Sequence, residues 1–554
     1  MTLNLRSWSA LAICAMATGC VGSPAPAAAA IHTVAADGNL QAILDAAQPG
    51  DEIVLTPGAT YTGNFTLPAK SGDQVIVIRT GAAADALPGV GTRTSPAYAP
   101  VLAKLKAGIG GGGALTAAPG AHHWRIENVE FGANPGGFND IIVLGGSQSQ
   151  TLASQMPHHI VLDRVYIHGD AVLGQKRGIA LNSGNTEIIN SYISDIKSRE
   201  QDSQAICGWN GAGPYLIENN YLEASGENVL FGGADPSIRD LVPSDIVVRR
   251  NTLSKPLSWR AERWAVKNAL ELKNARRVVI EGNLFENVWL SGQVGFAILF
   301  TPANQDRRAP WSVVEDVTFR DNIVRHAGGG VNITGIDHVS GSGRTQRIQI
   351  TNNVFYDIDS RWGGAGTGIF LQMGLAPRDV VVERNTVVHS GNVITVYGTE
   401  NGKPSPVEGF VFRENVVRHN DYGVIGDGLA PGVGTLSAYF QRLVFDRNVL
   451  AGANPALYPS GNYFPAAAEF DALFANASAG DFSIVPASPF ARAAADGGAL
   501  GADVVRLNAK MSGSTTPSPP SGGQDNDDPQ CRRGAKCDGI RQPSKLPRSL
   551  EQQH

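Results

Sequence analysis

The densest run of residues able to do chemistry is Trp259-Arg260-Ala261-Glu262-Arg263-Trp264-Ala265-Val266-Lys267-Asn268-Ala269-Leu270-Glu271-Leu272-Lys273. Two lysines, two arginines, two carboxylates and two indoles lie within fifteen positions. Around Leu270 the residues alternate, and side chains on a strand point to opposite faces in turn. Leu270 and Leu272 are therefore expected to face a core, and Lys267, Ala269, Glu271 and Lys273 to face outward. Arg260 and Arg263 precede them on a loop, and Trp259 and Trp264 have faces that suit sugar rings. Cleaving a uronate chain by elimination needs a base, a cation to offset the developing negative charge, and a proton for the leaving oxygen. Lys267 or Lys273 is the candidate base, if nearby arginines depress its pKa, and Arg260 and Arg263 are the candidate partners of the carboxylate. Glu271 either orients a lysine or joins Asp235 around a Ca2+ ion; no other cofactor is suggested and no metal ligand set is assigned. A hydrolase would instead need two carboxylates, and Glu271 with Glu262 or Asp235 is the available pair. The ordinary alternative is a solvated strand with an exposed Glu271–Lys273 ion pair, worth 0–1 kcal/mol at most.

Such a row needs a scaffold, and a repeat supplies one. Alternating apolar residues, a polar pair ending in Asn and a further apolar pair recur, as in Ile217-Glu218-Asn219-Asn220-Tyr221-Leu222 and Ile280-Glu281-Gly282-Asn283-Leu284-Phe285. Copies end at Asn128, Asn220, Asn251, Asn283, Asn322, Asn353, Asn385, Asn415 and Asn448, with Arg164 and Ser191 in two degenerate ones, at steps of 27 to 39 residues. A period in this range marks a solenoid or propeller. The segments are β-branched and alternate with period two, which excludes helical repeats; no Leu framework or propeller signature is present. What remains is an all-β chain wound as a parallel β-helix, with Asn at a turn because it tolerates a left-handed backbone and bonds in stacks. Gly38 to Ala47 places Leu40, Ile43, Leu44 and Ala47 on one helical face, a helix suited to capping the open end of the first coil. The less regular run from Gly480 to Asp503 is expected to close the last one.

The run DGNLQAILDAAQPGDEIVLTPGATYTGNF and the Asn turns through residue 450 resemble right-handed parallel β-helix proteins of the pectate-lyase-like superfamily, over roughly residues 31–508. The resemblance implies the right-handed solenoid. It does not choose among the lyases, hydrolases, esterases, epimerases and tailspikes built on that fold. The alginate-lyase and chondroitinase B type, with Lys and Arg on adjacent coils, is nearest in spirit, although the local motifs differ.

A β-helix offers one outward side-chain row per coil, with coils ~4.8 Å apart. Trp209, Phe231, Asn332, Thr334, Gln372, Thr395 and Tyr397 extend that row if the register holds, with Arg263, Trp209, Trp264, Asn332, Gln372 and Tyr397 as candidate substrate-binding residues. The insertion Thr301–Trp311 flanks it, and long loops on a rigid scaffold are where binding is built. His122, His123, His158, His159 and His168 read as loop or core histidines, with a metal cluster as the alternative.

Charged residues make up 17% of the 554, against roughly 25% in an average soluble protein. The net charge of −5 argues against nucleic acid as a partner. Met1–Ala30 reads as a bacterial export signal, ending either at Ala28-Ala29-Ala30 or at a lipobox-like Ala17-Thr18-Gly19-Cys20. The protein is thus expected outside the cytoplasm, as a periplasmic, outer-membrane-anchored or secreted monomer whose one membrane contact is a lipid on Cys20. The expected division is 1–30 signal or tether, 31–510 β-helix and 511–554 a disordered polar tail in which Cys531 and Cys537 are either bridged or free. The reading that results is a polysaccharide lyase for an acidic glycan, with a non-catalytic glycan-binding β-helix and a glycoside hydrolase as the alternatives.

Overall fold

The computed structural model describes residues 29–512, except 365 and 401. Most of the stretch read as an export signal, with Cys20, and the tail with Cys531 and Cys537 lie outside the described residues. Three long parallel sheets of sixteen, twelve and thirteen strands run side by side along the molecule. Each coil gives one strand to each sheet in turn: Ala275–Glu281 to the first, Leu284–Val288 to the third, Phe296–Phe300 to the second. The next coil repeats the order in register, Val278 beside Val317, Phe285 beside Val324 and Ile298 beside Val331. This is a right-handed parallel β-helix, the hand that twisted parallel strands impose on their crossovers. Inward rows such as Val248, Ile280, Phe319 and Ile350 stack into one continuous apolar core that runs from Val34 to Tyr458. The helix Leu40–Ala46 buries Leu40 and Leu44 on the first coil, with the Asn39 side chain accepting from the Ala42 amide at 3.1 Å.

The asparagine repeat is an interior ladder. From Asn220 through Asn251, Asn283, Asn322, Asn353, Asn385 and Asn415 to Asn448, each backbone N–H donates to the next Asn Oδ1 at 2.9–3.0 Å. Each Nδ2 from Asn251 onward also donates to the carbonyl of a residue in the preceding coil, as Asn322 does to Ile280 at 2.9 Å. The left-handed backbone expected at these asparagines sits one residue earlier, at Asn219, Arg250, Gly282, Asp321, Asn352, Arg384, Glu414 and Arg447. Asn128 and Arg164 also occupy that earlier, left-handed position, so their place in the repeat shifts by one. Ser191 does stand in the ladder, and its amide donates to Asn220 Oδ1 at 2.8 Å. The reason for two distinct places is geometric: the turn reverses at the left-handed residue, which turns the next side chain inward.

The C-terminal expectation needs correction too. The last coils are closed by the helix Val433–Tyr439 with Phe440, Phe445 and Tyr458. Residues beyond 464 fold back along the outer face of the third sheet instead. There Phe470, Phe474, Phe482 and Phe490 pack on Tyr356, Val388, Val416 and Val449. The helix Val504–Met511 ends beside Gly282, where a Cβ would come within 2.5 Å of the Lys510 carbonyl.

Candidate functional site

The outer face of the second sheet carries a polar row that begins with Asp140, Arg177, Gln204 and Glu227, in register on four successive strands. Each stands two positions before an inward aliphatic, Ile142, Ile179, Ile206 and Val229. Side-chain bonds link the row end to end. Arg177 donates to Asp140 Oδ1 at 2.8 Å and to Gln204 Oε1 at 3.0 Å; Gln204 donates to Glu227 Oε2 at 2.9 Å. Lys267 then places its ammonium 3.6 Å from Glu227 Oε1 and 2.7 Å from Asp202 Oδ1.

On the strand Leu270–Leu272, Glu271 faces outward between Leu230 and Leu299 of its neighbours, and Lys273 Nζ lies 3.6 Å from Glu271 Oε1. Asn268 donates to Glu271 Oε2 at 2.9 Å, and Thr301, the first residue of the insertion, donates to Oε1 at 3.2 Å. Lys267, Glu227, Glu271 and Lys273 thus form one alternating cluster in which both glutamates are 2% exposed. Burial pushes the Glu227 carboxyl up, against the pull of Lys267. Glu271 holds Lys273 above the ordinary lysine range; for Lys267, burial opposes the charge but Glu227 and Asp202 outweigh it, and its pKa is also raised. Both amines are therefore poor bases as they stand. No arginine depresses them, because Arg260 is elsewhere. Its guanidinium lies over Trp362 and Trp289, 5.0 and 5.9 Å from the ring centroids.

Trp259 and Trp264 are buried, 3% and 2% exposed, and Lys197 and Arg199 cover their faces. They brace the loop beside Lys267, and their faces are not open to a sugar. Arg263 is exposed at the left-handed end of the short helix Trp259–Glu262. Trp209 lies against Ala180, Cys207 and Leu230 on the outer face, under Arg177 at 4.9 Å, and is 8% exposed. Two residues expected to face outward face the core: Phe231, in register with Leu272, and Ala269, which the chain turns inward before Leu270.

The remaining candidates lie on a second outward row, in register with Leu230 and not with Glu227. Glu271 leads through Leu299 to Asn332, Gln372 and Thr395. Gln372 and Thr395 stand three and four coils from Glu271, roughly 14 and 19 Å away. Tyr397 folds over Gly374, where a side chain would collide with its ring, and its hydroxyl meets Thr334 Oγ1 at 3.1 Å. These residues extend the face lengthwise and do not join the lysine–glutamate cluster.

Sequence reasoning missed Asp140, Arg177, Asp202, Gln204 and Glu227. Four of them carry a signal, a polar residue two places before the inward aliphatic in successive coils; Asp202, on a loop, carries none. The two carboxylates named for Ca2+ have separate protein partners, although Asp235 Oδ1 is buried without one. Asp235 Oδ2 accepts the Asp306 and Arg308 amides at 3.0 and 2.8 Å, and Glu271 is taken by Lys273, Asn268 and Thr301. Among the described residues, no group of three or more His, Cys, Asp or Glu is placed to hold a metal. The four paired histidines stack, His122 on His158 and His123 on His159, with centroids 4.9 and 4.6 Å apart. Glu262 accepts from the Trp264 indole at 2.6 Å, and the carboxylate that interacts electrostatically with Glu271 is Glu227.

No protein-family model matches the chain, and no curated protein matches it in sequence. Among solved structures it is similar to the PL6 family alginate lyase AlyGC, at 12% identity and TM-score 0.49 over 79% of this chain and 53% of that one. The chain thus spans about half the length of that enzyme. A mannuronic acid specific polysaccharide family 6 lyase from human gut microbiota aligns over 78% of this chain and 91% of its own, at 14% identity and TM-score 0.45. The catalytic unit of a GH87 α-1,3-glucanase from Streptomyces thermodiastaticus strain HF3-3 aligns over 79% and 70%, at 13% identity and TM-score 0.46. These likenesses are of backbone course alone, and the chemistry of this chain rests on its own side chains.

Proposed function

We propose that the chain is an exported, carbohydrate-active β-helix protein that binds an acidic polysaccharide along the outer face of the second sheet and cleaves it by β-elimination. The observation that carries this reading is the cluster of Lys267, Glu227, Glu271 and Lys273, its glutamates buried and its ammonium groups partly exposed, at the foot of the Thr301–Trp311 insertion. A uronate carboxylate replaces a glutamate as the partner of the two ammonium groups. Neutralised in this way, it acidifies the proton on the adjacent sugar carbon. Glu271 accepts that proton, the electron pair forms the new carbon–carbon double bond, and the glycosidic carbon–oxygen bond breaks. Glu227, whose carboxyl burial pushes up, delivers a proton to the departing oxygen. Lys267 and Lys273 are here the charge-neutralising groups, a role that suits their raised pKa values better than that of base.

A second reading, hydrolysis, draws on Glu227 and Glu271 as neighbouring carboxylates. Purified protein incubated with alginate, pectate and glycosaminoglycans distinguishes the two. Elimination produces ultraviolet absorbance from the conjugated double bond, whereas hydrolysis releases reducing ends without it. Lys273→Ala and Glu227→Gln are expected to abolish the absorbance change while the protein stays folded. No product from any acidic glycan, with saturable binding retained, would leave a glycan-binding protein. Export is supported by the Met1–Ala30 pattern. Fractionation of expressing cells tests it, with Cys20→Ser releasing the protein from membranes if the lipid is its anchor.

A further inference from the structure

A hollow of about 390 Å³ opens among the loops that leave the second sheet, apart from the lysine–glutamate cluster. Its walls include Trp311, Arg239, Arg308, Gln148 and Thr151. They come from three loops, each leaving the C-terminal end of a second-sheet strand: after Asp140–Leu144, after Glu227–Phe231 and after Phe296–Phe300. Two buried polar side chains tie these loops together. Asn210 donates to the carbonyls of Gly146, Ser147 and Gln150 at 2.9–3.1 Å, while its Oδ1 accepts the amides of Ser237 and Ile238 at 2.9 and 3.0 Å. Asp235 accepts the Asp306 and Arg308 amides, and the Trp311 indole donates to the Leu241 carbonyl at 3.0 Å. The hollow is therefore built into the backbone before any ligand arrives, which removes the ordering cost of binding.

Its chemistry is that of a sugar acid site. An indole anchored by its N–H offers a ring face, two guanidiniums offer planar forks for an oxyanion, and Gln148 and Thr151 supply amide and hydroxyl groups. Among the described residues, Arg239 and Arg308 pair with exposed carboxylates, Asp240 at 3.5 Å and Asp306 at 2.9 Å. Exposed pairs of this kind hold little free energy and exchange readily for a ligand anion. The same insertion that begins at Thr301, on Glu271, ends at Trp311 in the hollow.

We infer that this hollow is an accessory subsite for an acidic sugar unit, with the ring on Trp311 and its carboxylate or sulfate on Arg308 and Arg239. Naming the substrate's second anchor rests on the reading of the site face given above. The binding itself does not require turnover. The test uses the whole protein and measures binding of oligogalacturonate, oligoalginate, chondroitin sulfate oligomers and, as an uncharged control, oligoglucan by calorimetry. Each is repeated with Arg239→Gln/Arg308→Gln, with Trp311→Ala and with Lys267→Ala/Lys273→Ala. At least one acidic oligomer is expected to bind, and the arginine pair and Trp311 variants to weaken it by about tenfold or more. The Asp235 and Asn210 contacts use backbone groups and survive the two arginine substitutions, and an unchanged melting curve of Arg239→Gln/Arg308→Gln confirms it. Equal binding by wild type and hollow variants, or no saturable binding of any acidic oligomer, overturns the subsite. Absence of turnover with tenfold weakening in the hollow variants sinks the lyase reading and leaves the subsite standing.

Discussion

Replacing Lys273 by methionine removes the ammonium 3.6 Å from a glutamate that is 2% exposed. At that separation the attraction is about 4–5 kcal/mol for an effective dielectric near 20. Lys273 is itself largely buried, so little of this is screened by water. Breaking a buried pair from one side typically costs ~3–5 kcal/mol, because the remaining charge is left without a partner. Lys273→Met is therefore expected to destabilise by about that amount. Adding Glu271→Gln removes the stranded charge while keeping the shape and the acceptor for Asn268, and is expected to recover about 2 kcal/mol or more. Glu271→Gln alone leaves Lys273 facing Glu227 and is expected to cost less than Lys273→Met. Urea unfolding of the four proteins at pH 7 gives the coupling energy directly. If the double variant is no more stable than Lys273→Met, the two groups do not form the electrostatic unit described. Because the lysine pKa is raised in the folded state, its contribution is complete below about pH 10 and disappears only as pH rises through the folded value. The coupling should thus be unchanged between pH 6 and 9.

Asn322→Ala removes two acceptor and two donor bonds of the ladder and orphans the Asn283 amide and Ile280 carbonyl; a loss of about 2–6 kcal/mol in urea unfolding is expected. Lys255 is wholly buried and donates to Ala224 O, Gly226 O and Asn228 Oδ1 at 2.7–2.9 Å, so Lys255→Met should cost at least ~3 kcal/mol, whereas exposed Lys403→Met should cost almost nothing. Burial raises the Glu223 carboxyl to about 7. An acid with a raised folded pKa stabilises less as pH climbs from its unfolded value, so wild-type stability should fall by up to roughly 3 kcal/mol between pH 4.5 and 7, and Glu223→Gln should flatten that slope. Lys255, with a folded pKa of about 7, stays protonated in both states below that pH and does not add to the slope. Equal slopes in the two proteins would show that Glu223 is not the titrating group.

The coil architecture was legible because its determinants are local. β-branched alternation and a one-residue turn signal repeat in every coil, and Asn283 or Asn353 can be picked out by eye. The same local view could not separate the left-handed residue from the ladder asparagine beside it, since Asn occupies both places at 219 and 220. The outward facing of Glu271 was legible from alternation along one short strand, whereas Lys267 lies before a break in that alternation at Ala269. Their partners were not, because Glu227 and Asp202 reach Lys267 across coils, at sequence separations set by loop lengths and not by any motif. Burial defeated the tryptophans. Aromatic residues next to arginines look like a sugar platform in sequence, yet Trp264 is closed off by Lys197 and Arg199, which arrive from another coil.

The C-terminal return has a consequence for biogenesis. The apolar strip formed by Leu284, Ile323, Val354 and Val416 stays wet until Phe470 through Met511 have been synthesised and laid over it. A nascent or truncated polypeptide ending near residue 460 would own every coil and still expose a sticky stripe along its flank. Completion of the chain through Met511, and not of the winding, is the moment at which that stripe is covered.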